Sequence, residues 1–326
     1  MPIEAALFFD NDLGHCKSFS QWCGKITPFH TGGFEHPPAP AAFPVTPWAG
    51  MEGYHQSLSE EGRNYMSYLQ AIVPAEGDCV DGSSGITLEQ AQFILSALDR
   101  KVVIHGGSAN VVAIFDFDRT LSIFEGFMYA SSPPVPPNSG IQGHLTYLTT
   151  TFNVQDAAGN PLPLTVNGFR EYIFGGQQRM RMIQELIHRI RSLGFTIIIL
   201  TNNQIGINNP EMFKEFFPGD EGFINIVCGH PHGGHKPTAL HATAYPAFAP
   251  LFAVPQLPHA DQYIITMDRT PGQNQIVRKD LFNRNPPYYE GVNLDGLFPL
   301  PAPAIADQRS RKRRYRRKQS RRHRKN

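Results

Sequence analysis

Four short apolar segments, separated by stretches of helical periodicity, constrain the fold of this chain most strongly. They are V-V-A-I-F at 111–115, F-T-I-I-I-L at 195–200, F-I-N-I-V at 223–227 and Y-I-I-T-M at 263–267. Short continuous apolar runs of this kind are typical of strands that are buried on both faces of a parallel sheet. Strands that alternate with helices need right-handed crossovers. The sequence therefore predicts an α/β protein with a central parallel sheet, a Rossmann-like three-layer sandwich.

Helical periodicity is present at about 58–72, about 88–99 and 178–193. Thr87 and Gln90 have the spacing of a capping box, in which each side chain satisfies a backbone amide at the start of a helix. We therefore expect the second of these helices to begin directly after Thr87.

Composition and pattern divide the chain into three parts. Residues 1–105 are partly helical and proline-rich, and the sequence assigns them no role. Residues 106–300 hold the predicted sheet, interrupted at about 122–177 by a long stretch with little pattern. A connection of this length is more typical of a functional insertion than of a plain loop. Residues 301–326 are predicted to be a linker and a disordered tail.

Positive charge is concentrated at the C-terminus. Residues 309–326 hold twelve of the 29 Lys and Arg residues and no acid, which leaves 17 basic against 28 acidic residues in 1–308. A tail of this charge density binds nucleic acid through phosphates without reading sequence. A nuclear import signal and a merely solubilising tail are the alternative interpretations.

The remaining composition indicates a soluble intracellular protein that is not secreted and not in a membrane. The cysteines are few and lack a C-x-x-C pair, which favours a reducing compartment; they are Cys16, Cys23, Cys79 and Cys228. The N-terminal segment has no basic region ahead of its apolar run, so no signal peptide is expected. No apolar run approaches the roughly 18–20 residues of a membrane span. A nuclear or nucleic-acid-associated location stays compatible with the tail.

The segment V-A-I-F-D-F-D-R-T-L-S at 112–122 carries the clearest chemical signal. Asp116 and Asp118 follow the strand two positions apart, so both carboxylates can reach one pocket while doing different work. One can attack phosphorus while the other handles the proton of the leaving group. A simple metal site and a solvated turn are the alternatives. The stretch F-F-D-N-D at 8–12 has similar spacing without accompanying motifs, and we interpret it as a turn.

This segment resembles the first motif, D-x-D-x-T, of the haloacid dehalogenase (HAD) superfamily, and candidates for the later motifs follow in the order of that family. Thr201 in I-I-I-L-T-N-N-Q matches the second motif, and Lys236 in H-K-P-T-A-L matches the third. Asp268 in Y-I-I-T-M-D-R-T-P-G is the candidate for the fourth. The resemblance covers about residues 110–290.

The resemblance implies a mechanism as well as a fold. Asp116 would be the nucleophile that forms an aspartyl-phosphate, and Asp118 would protonate the leaving oxygen and then activate water. Thr201 and the amide after it would hold phosphoryl oxygens, and Lys236 would neutralise charge. Mg²⁺ would bind Asp116, the backbone carbonyl of Asp118, and Asp268. A metal and a lysine are needed because an anionic nucleophile and a phosphate dianion repel each other.

The expected function is that of a Mg²⁺-dependent phosphatase with a phosphorylated substrate. Arg119, Thr120 and Asn202 are the candidates for substrate contacts, and the insertion at 122–177 would be a small cap, as HAD proteins often carry there. The wording of the motifs is similar to polynucleotide 3′-phosphatases, to histidinol-phosphate phosphatases and to uncharacterised HAD-like proteins of large DNA viruses. The alternative is a catalytically impaired HAD-fold protein that binds or packages nucleic acid through its basic tail.

The loop C-G-H-P-H-G-G-H-K ahead of Pro237 has three interpretations. Its four candidate ligands, Cys228, His230, His232 and His235, suit zinc in principle, and histidinol-phosphate-type relatives can carry a zinc loop at this point. The histidines could instead contact a substrate phosphate. In the third interpretation the segment is a glycine-rich turn that delivers Lys236 to the site.

Deletion of residues 309–326 should remove the affinity of the protein for nucleic acid, measured by fluorescence anisotropy with a labelled oligonucleotide. With roughly six to ten phosphate contacts from the tail, the affinity of the full chain should fall by about 10³- to 10⁵-fold between about 50 and 200 mM salt. A chain with a scrambled tail of the same composition should bind as the full chain does. Salt-sensitive binding that survives the deletion would contradict the role of the tail.

Overall fold

A computed structural model of the chain describes residues 3–32, 58–72, 85–123, 137–243, 248–252, 263–267, 277–281 and 288–301. Within these ranges the strands form one sheet. They are β1 (Ala5–Asp10), β2 (Ile26–His30), β3 (Val111–Phe115), β4 (Thr196–Thr201), β5 (Ile224–Cys228), β6 (Tyr263–Met267), β7 (Val277–Leu281) and β8 (Tyr288–Val292).

The order of the strands across the sheet is β5-β4-β3-β1-β2-β6-β7-β8. The six strands from β5 to β6 are all parallel, and β7 and β8 extend the sheet as antiparallel strands. The predicted α/β class and the central parallel sheet are therefore confirmed. So are the four predicted strands, which are β3, β4, β5 and β6. The sequence did not predict β1, β2, β7 or β8.

Helices connect the strands. They are α1 (Leu13–Trp22), α2 (Glu60–Ile72), α3 (Leu88–His105), α4 (Gly140–Phe152), α5 (Val166–Phe174), α6 (Gln177–Ser192), α7 (Ile205–Asn208), α8 (Pro210–Lys214), α9 (Lys236–Ala242), α10 (Ala249–Phe252) and α11 (Leu294–Leu297). The three predicted helices are confirmed as α2, α3 and α6. The capping box of Thr87 and Gln90 is formed, and α3 continues past the predicted end to His105.

The sheet separates two hydrophobic layers. Side chains alternate between the faces of a strand, so Val111, Ala113 and Phe115 of β3 face one layer and Val112 and Ile114 face the other. Residues of α2–α6 and α8 complete the first layer. Residues of α1, α9 and α10 complete the second. The architecture is therefore a three-layer arrangement of helices, sheet and helices.

An aromatic row ties the N-terminal strands to the middle of the sheet. The ring of Phe9 in β1 stacks on Phe29 in β2 and on Phe115 in β3, with centroid distances of 5.0 and 4.9 Å. All three side chains are fully buried. Stacked aromatic pairs contribute about 0.5–1.5 kcal/mol beyond the burial of their area. The row therefore makes β1 and β2 part of the main core.

The described part of the predicted insertion also packs into this core. The buried rings of Phe169 and Tyr172 in α5 lie against Tyr65 of α2, at 4.8 and 5.2 Å. The carboxylate of Glu171 accepts hydrogen bonds from the backbone and the hydroxyl of Ser59. Residues 124–136 lie outside the described ranges, and a cap over the site stays a prediction.

Two further expectations from the sequence concern the basic tail and membrane spans. The tail at 309–326 lies outside it. Among the described helices, none has both the length and the apolar character needed to cross a membrane.

The boundary that the sequence suggests after residue 105 falls inside one sheet, which generates a stability prediction. A chain of residues 106–300 lacks β1 and β2, so β3 keeps β4 but loses its other partner strand, β1, and Phe115 loses its stacking neighbour. We expect this fragment to show no cooperative unfolding transition by circular dichroism, because a central gap leaves two unpaired strand edges. The matched control is a chain that lacks only residues 309–326, which should unfold at the midpoint of the full chain. A cooperative transition of the fragment with the stability of the full chain would contradict the prediction.

Candidate active site

The sheet has a topological switch point between β1 and β3. From β1 the chain adds β2 on one side, whereas from β3 it adds β4 and then β5 on the other side. The crossover helices therefore diverge at this point, and open α/β sheets bind ligands in the crevice outside the carboxyl ends of such strands. Asp10 ends β1 and Asp116 follows β3 directly. The register aligns Phe9 with Phe115, so the two acids leave the sheet side by side.

Lys236 joins the two acids. Its Nζ atom donates hydrogen bonds to Oδ2 of Asp10 at 2.7 Å and to Oδ1 of Asp116 at 2.5 Å. The exposed fractions of the three residues are 1% for Lys236, 0% for Asp10 and 5% for Asp116. A buried ion costs several kcal/mol unless it is paired and hydrogen-bonded. The lysine therefore offsets negative charge on both strands.

The local sequence around Lys236 explains how it enters the site. Gly233 and Gly234 have φ angles of 65° and 78°, in the left-handed region that glycine adopts at little cost. Pro237 occupies the first turn of α9, where its missing amide is not needed. His235 caps the helix by accepting from the amide of Thr238. These features turn the chain back after β5 and start α9 with Lys236 facing the crevice.

Charge in the crevice is not balanced by Lys236 alone. Burial, together with the negative charges of Asp10 and Asp118, raises the pKa of Asp116 to about 8 although Lys236 opposes the shift. Burial by itself would also raise the pKa of Asp10, but Lys236 and His15 hold it below its usual value. Burial would lower the pKa of Lys236, yet the two carboxylates raise it. The crevice thus favours one more positive charge, from a proton or from a cation.

Asp118 lies on the other side of Asp116, in the turn at 117–121. Its two carboxylate oxygens accept hydrogen bonds from Thr201 Oγ1 and Asn203 Nδ2, each at 3.4 Å. The amide of Asn203 donates in turn to Thr201 Oγ1 at 3.0 Å. These contacts link the turn after β3 to the end of β4. The structure therefore brings Asp118 and Thr201 together at the carboxyl edge of the sheet.

The turn that carries Asp118 is held by backbone contacts. The amides of Gly85 and Ile86 donate to the carbonyls of Arg119 and Thr120 at 2.9 and 2.8 Å. Arg179 of α6 donates to the carbonyls of Thr120 and Leu121 and to the carbonyl of Phe174 at the end of α5; the distances are 3.3, 2.7 and 2.9 Å. The segment just before α3 and one arginine thus fix the position of Asp118.

The three candidates for substrate contact differ in position. Arg119 has a φ angle of 58°, which is unusual for a residue with a side chain. Thr120 is buried, and its Oγ1 accepts from the amide of Asn11 at 3.0 Å. The Nδ2 atom of Asn202 donates to the backbone carbonyl of Gly234 and contacts the ring of His15. Their assignment to the substrate stays a prediction.

Asp10, His15 and Asn203 are site residues that sequence reasoning missed. The interpretation of residues 8–12 as a turn was wrong for residues 8–10, which belong to β1 and are buried. The signal was present as an apolar run ending in an acid, the same pattern that identified β3. No other motif accompanies this run, so the sequence alone does not distinguish its end from a turn.

The fourth predicted acid, Asp268, lies outside the described residues. The strand that it follows, β6, is separated from β3 by β1 and β2. Adjacent strands are about 4.8 Å apart, so β6 lies roughly 14 Å from β3 in the plane of the sheet. Asp10 is the acid that the structure places on the strand adjacent to β3.

The loop of four zinc candidates does not form a ligand set. Cys228 Sγ lies 3.5 Å from the carbonyl of Asn203, and His235 Nδ1 contacts Thr238 Oγ1 at 2.6 Å. His230 is exposed and His232 is half-buried in a single helical turn. Within the described parts of the chain, no group of three or more His, Cys, Asp or Glu side chains is arranged as a metal site.

Comparisons of the chain with protein-family models, with curated proteins and with solved structures found no match.

The raised pKa of Asp116 predicts how metal-free protein responds to pH. The folded state holds the Asp116 proton up to about pH 8, whereas the unfolded chain releases it near pH 3.8. Stability from this group is therefore present below the unfolded pKa and is lost as the pH rises through the folded value. Asp116→Asn should show a flatter dependence of the unfolding free energy on pH than the unmodified chain, measured by urea denaturation in EDTA.

The same variant tests metal binding without an activity assay. At pH 8, Mg²⁺ at about 100 times its dissociation constant should stabilise the unmodified chain by about 2.7 kcal/mol. Asp116→Asn should gain much less, and the surface variant Asp99→Asn should respond as the unmodified chain does. Equal stabilisation of all three chains by Mg²⁺ would contradict a role of Asp116 in binding the ion.

Proposed function

We propose that the chain is a Mg²⁺-dependent phosphomonoester hydrolase that acts through an aspartyl-phosphate on Asp116. The observation that carries the proposal is the pair of contacts from Lys236 Nζ to Asp116 and Asp10 at the switch point of the sheet. These contacts support the proposal, because a carboxylate that attacks an anionic phosphate requires a fixed positive charge beside it.

The residues present suit Mg²⁺. Carboxylate and carbonyl oxygens are its preferred ligands, and the ion usually keeps several waters and uses only one or two carboxylates. Asp116 and the backbone carbonyl of Asp118 would hold it, with Asp10 as the acid on the neighbouring strand. The bound ion would offset the negative charge of the crevice and of the phosphoryl group. The raised pKa of Asp116 supports the fit, because it marks negative charge that Lys236 leaves uncompensated.

The reaction proceeds in two displacements. In the first, a carboxylate oxygen of Asp116 attacks phosphorus, the bond from phosphorus to the ester oxygen breaks, and Asp118 gives its proton to the departing alcohol. In the second, water attacks phosphorus, Asp118 takes a proton from that water, and the bond from phosphorus to Asp116 breaks. Inorganic phosphate and the free carboxylate are the products.

Each remaining side chain has one task in this scheme. Lys236 stabilises charge on Asp116 and on the equatorial phosphoryl oxygens. Thr201 and Asn203 orient the carboxylate of Asp118, since both donate to it. Arg179 and the segment at 85–86 keep the backbone of the turn in place, so that Asp118 stays within reach of the leaving oxygen.

Hydrolysis of p-nitrophenyl phosphate with Mg²⁺ tests the proposal. The unmodified chain should be active and should lose activity in EDTA. Asp116→Asn should fall to background, because the nucleophile is gone. Asp118→Asn should lose about 10²- to 10⁴-fold in kcat, the usual contribution of a general acid or base.

Controls make the result specific. Asp99→Asn, an exposed acid on α3, should keep full activity. Mass spectrometry of acid-quenched protein should detect a phosphoryl adduct on Asp116. Absence of activity above Asp116→Asn with several divalent metals would overturn the proposal and favour the alternative of an inactive fold that binds nucleic acid.

A further inference from the structure

A second polar contact on Asp10 comes from His15. Asp12 caps α1 by accepting from the amides of Gly14 and His15 at 2.6 and 3.1 Å. The cap fixes the first turn of α1 directly above the end of β1. The Nδ1 atom of His15 then lies 3.1 Å from Oδ2 of Asp10, the oxygen that also accepts from Lys236. His15 therefore approaches the site from the second hydrophobic layer.

Asn202 continues this contact toward the loop before Lys236. Its Nδ2 atom donates to the carbonyl of Gly234 at 2.9 Å and lies 3.2 Å from His15 Nε2. A backbone carbonyl only accepts, so the Gly234 contact identifies the amide nitrogen. An amide nitrogen only donates, so Nε2 of His15 is the acceptor in the 3.2 Å contact. The ring proton is then on Nδ1, which donates to Asp10.

These contacts form a closed ring of hydrogen bonds and ion pairs. Lys236 binds Asp10, Asp10 binds His15, His15 binds Asn202, and Asn202 binds Gly234, which precedes Lys236 by two residues. We propose that His15 and Asn202 are positioning residues that hold Lys236 on Asp116 through this ring. The inference rests on the proposed function, because it assigns both residues to the alignment of the catalytic lysine.

The loop before Lys236 needs such an anchor. Gly233 and Gly234 are consecutive glycines in the left-handed region, so the free chain has many conformations there and their ordering costs entropy. The Asn202 contact fixes the second glycine. Gly229 allows it, because a Cβ atom at that position would lie only 2.0 Å from Oδ1 of Asn202. A larger residue at 229 would displace the amide from the ring.

The contacts of Asn202 also favour a positioning role for this residue over a role in substrate binding. Asn202 directs its amide nitrogen inward, to two protein acceptors, and its Oδ1 is buried without a hydrogen-bond partner. We therefore expect Asn202 to affect the reaction by holding Lys236 in position. A catalytic group that moves by about 1 Å can cost about 10²-fold in rate.

Kinetics with p-nitrophenyl phosphate and Mg²⁺ test the inference on His15→Ala, Asn202→Ala and the double variant. Each single variant should lower kcat by about 10- to 100-fold and change KM less. The double variant should be no worse than the poorer single variant, since either change opens the same ring. Ser18→Ala, elsewhere on α1, is the matched control and should keep the unmodified kcat.

Two conservative variants of His15 each break a different contact of the ring. His15→Asn keeps a donor near the position of Nδ1 and loses the contact with Asn202, whereas His15→Gln reaches toward Asn202 and loses Asp10. Both should show the reduced kcat of His15→Ala. Losses that multiply in the double variant, an effect on KM alone, or unmodified kcat in the single variants would overturn the inference.

Hydrogen exchange supplies a readout that does not depend on turnover. Backbone amides at 233–235 donate within the loop, and loss of the Asn202 anchor should speed their exchange by about tenfold in His15→Ala and Asn202→Ala. Unchanged exchange would overturn the positioning role even if the chain proved inactive. Activity loss in Asp116→Asn and in EDTA tests the proposed function separately.

Discussion

The contact of one ammonium group with two buried carboxylates constrains the rest of this molecule. Burial of an ion of either sign costs several kcal/mol of desolvation free energy. This cost is offset only when the partners of the ion lie close to it in a fixed geometry. Asp10, Asp116 and Lys236 come from positions up to 226 residues apart. They meet because β1 and β3 are adjacent, parallel and in register, and because α9 begins at the same edge of the sheet. An error in any of these placements would leave an uncompensated charge inside the protein.

The order of the strands explains why this interaction lies at the switch point. The chain builds the sheet outward from β1 in one direction and from β3 in the other, so the crevice between them is open to ligand at its carboxyl edge. The aromatic row of Phe29, Phe9 and Phe115 holds the same strands together within the first hydrophobic layer. Packing and charge therefore depend on one feature, the insertion of the N-terminal strands beside β3.

Much of the fold could be predicted from local pattern. The strands β3 to β6 are short apolar runs, α6 has helical periodicity, and α3 begins at its capping box. Asp116 and Thr201 were expected at the carboxyl edge because each follows or ends a buried strand. These features depend on residues within one turn or one strand, where the periods of helix and sheet act directly.

The partners of Asp116 were harder to predict from the sequence. The segment Ala5–Asp10 has the same pattern as β3, but no other motif accompanies it, and its end is therefore interpreted from the sequence as a turn. The resemblance to HAD phosphatases implies a fourth acid later in the chain, because the motifs of that family follow this order. Which strand lies beside β3 depends on the sum of packing over the whole sheet, and no short segment encodes it. The four zinc candidates show the converse, since closeness in sequence did not bring them together in space.

The sequence by itself determined the α/β class, four of the six parallel strands of the described sheet, and Asp116, Asp118 and Lys236 as candidate site residues. Apolar runs, caps and glycine turns act over a few residues, so the amino-acid order specifies them. The tertiary structure alone decided that Asp10 shares Lys236 with Asp116, and that His15 and Asn202 connect the same lysine to its loop. These contacts exist only after segments far apart in the chain are packed at one edge of the sheet, because ion pairs and hydrogen bonds act over a few ångströms in space.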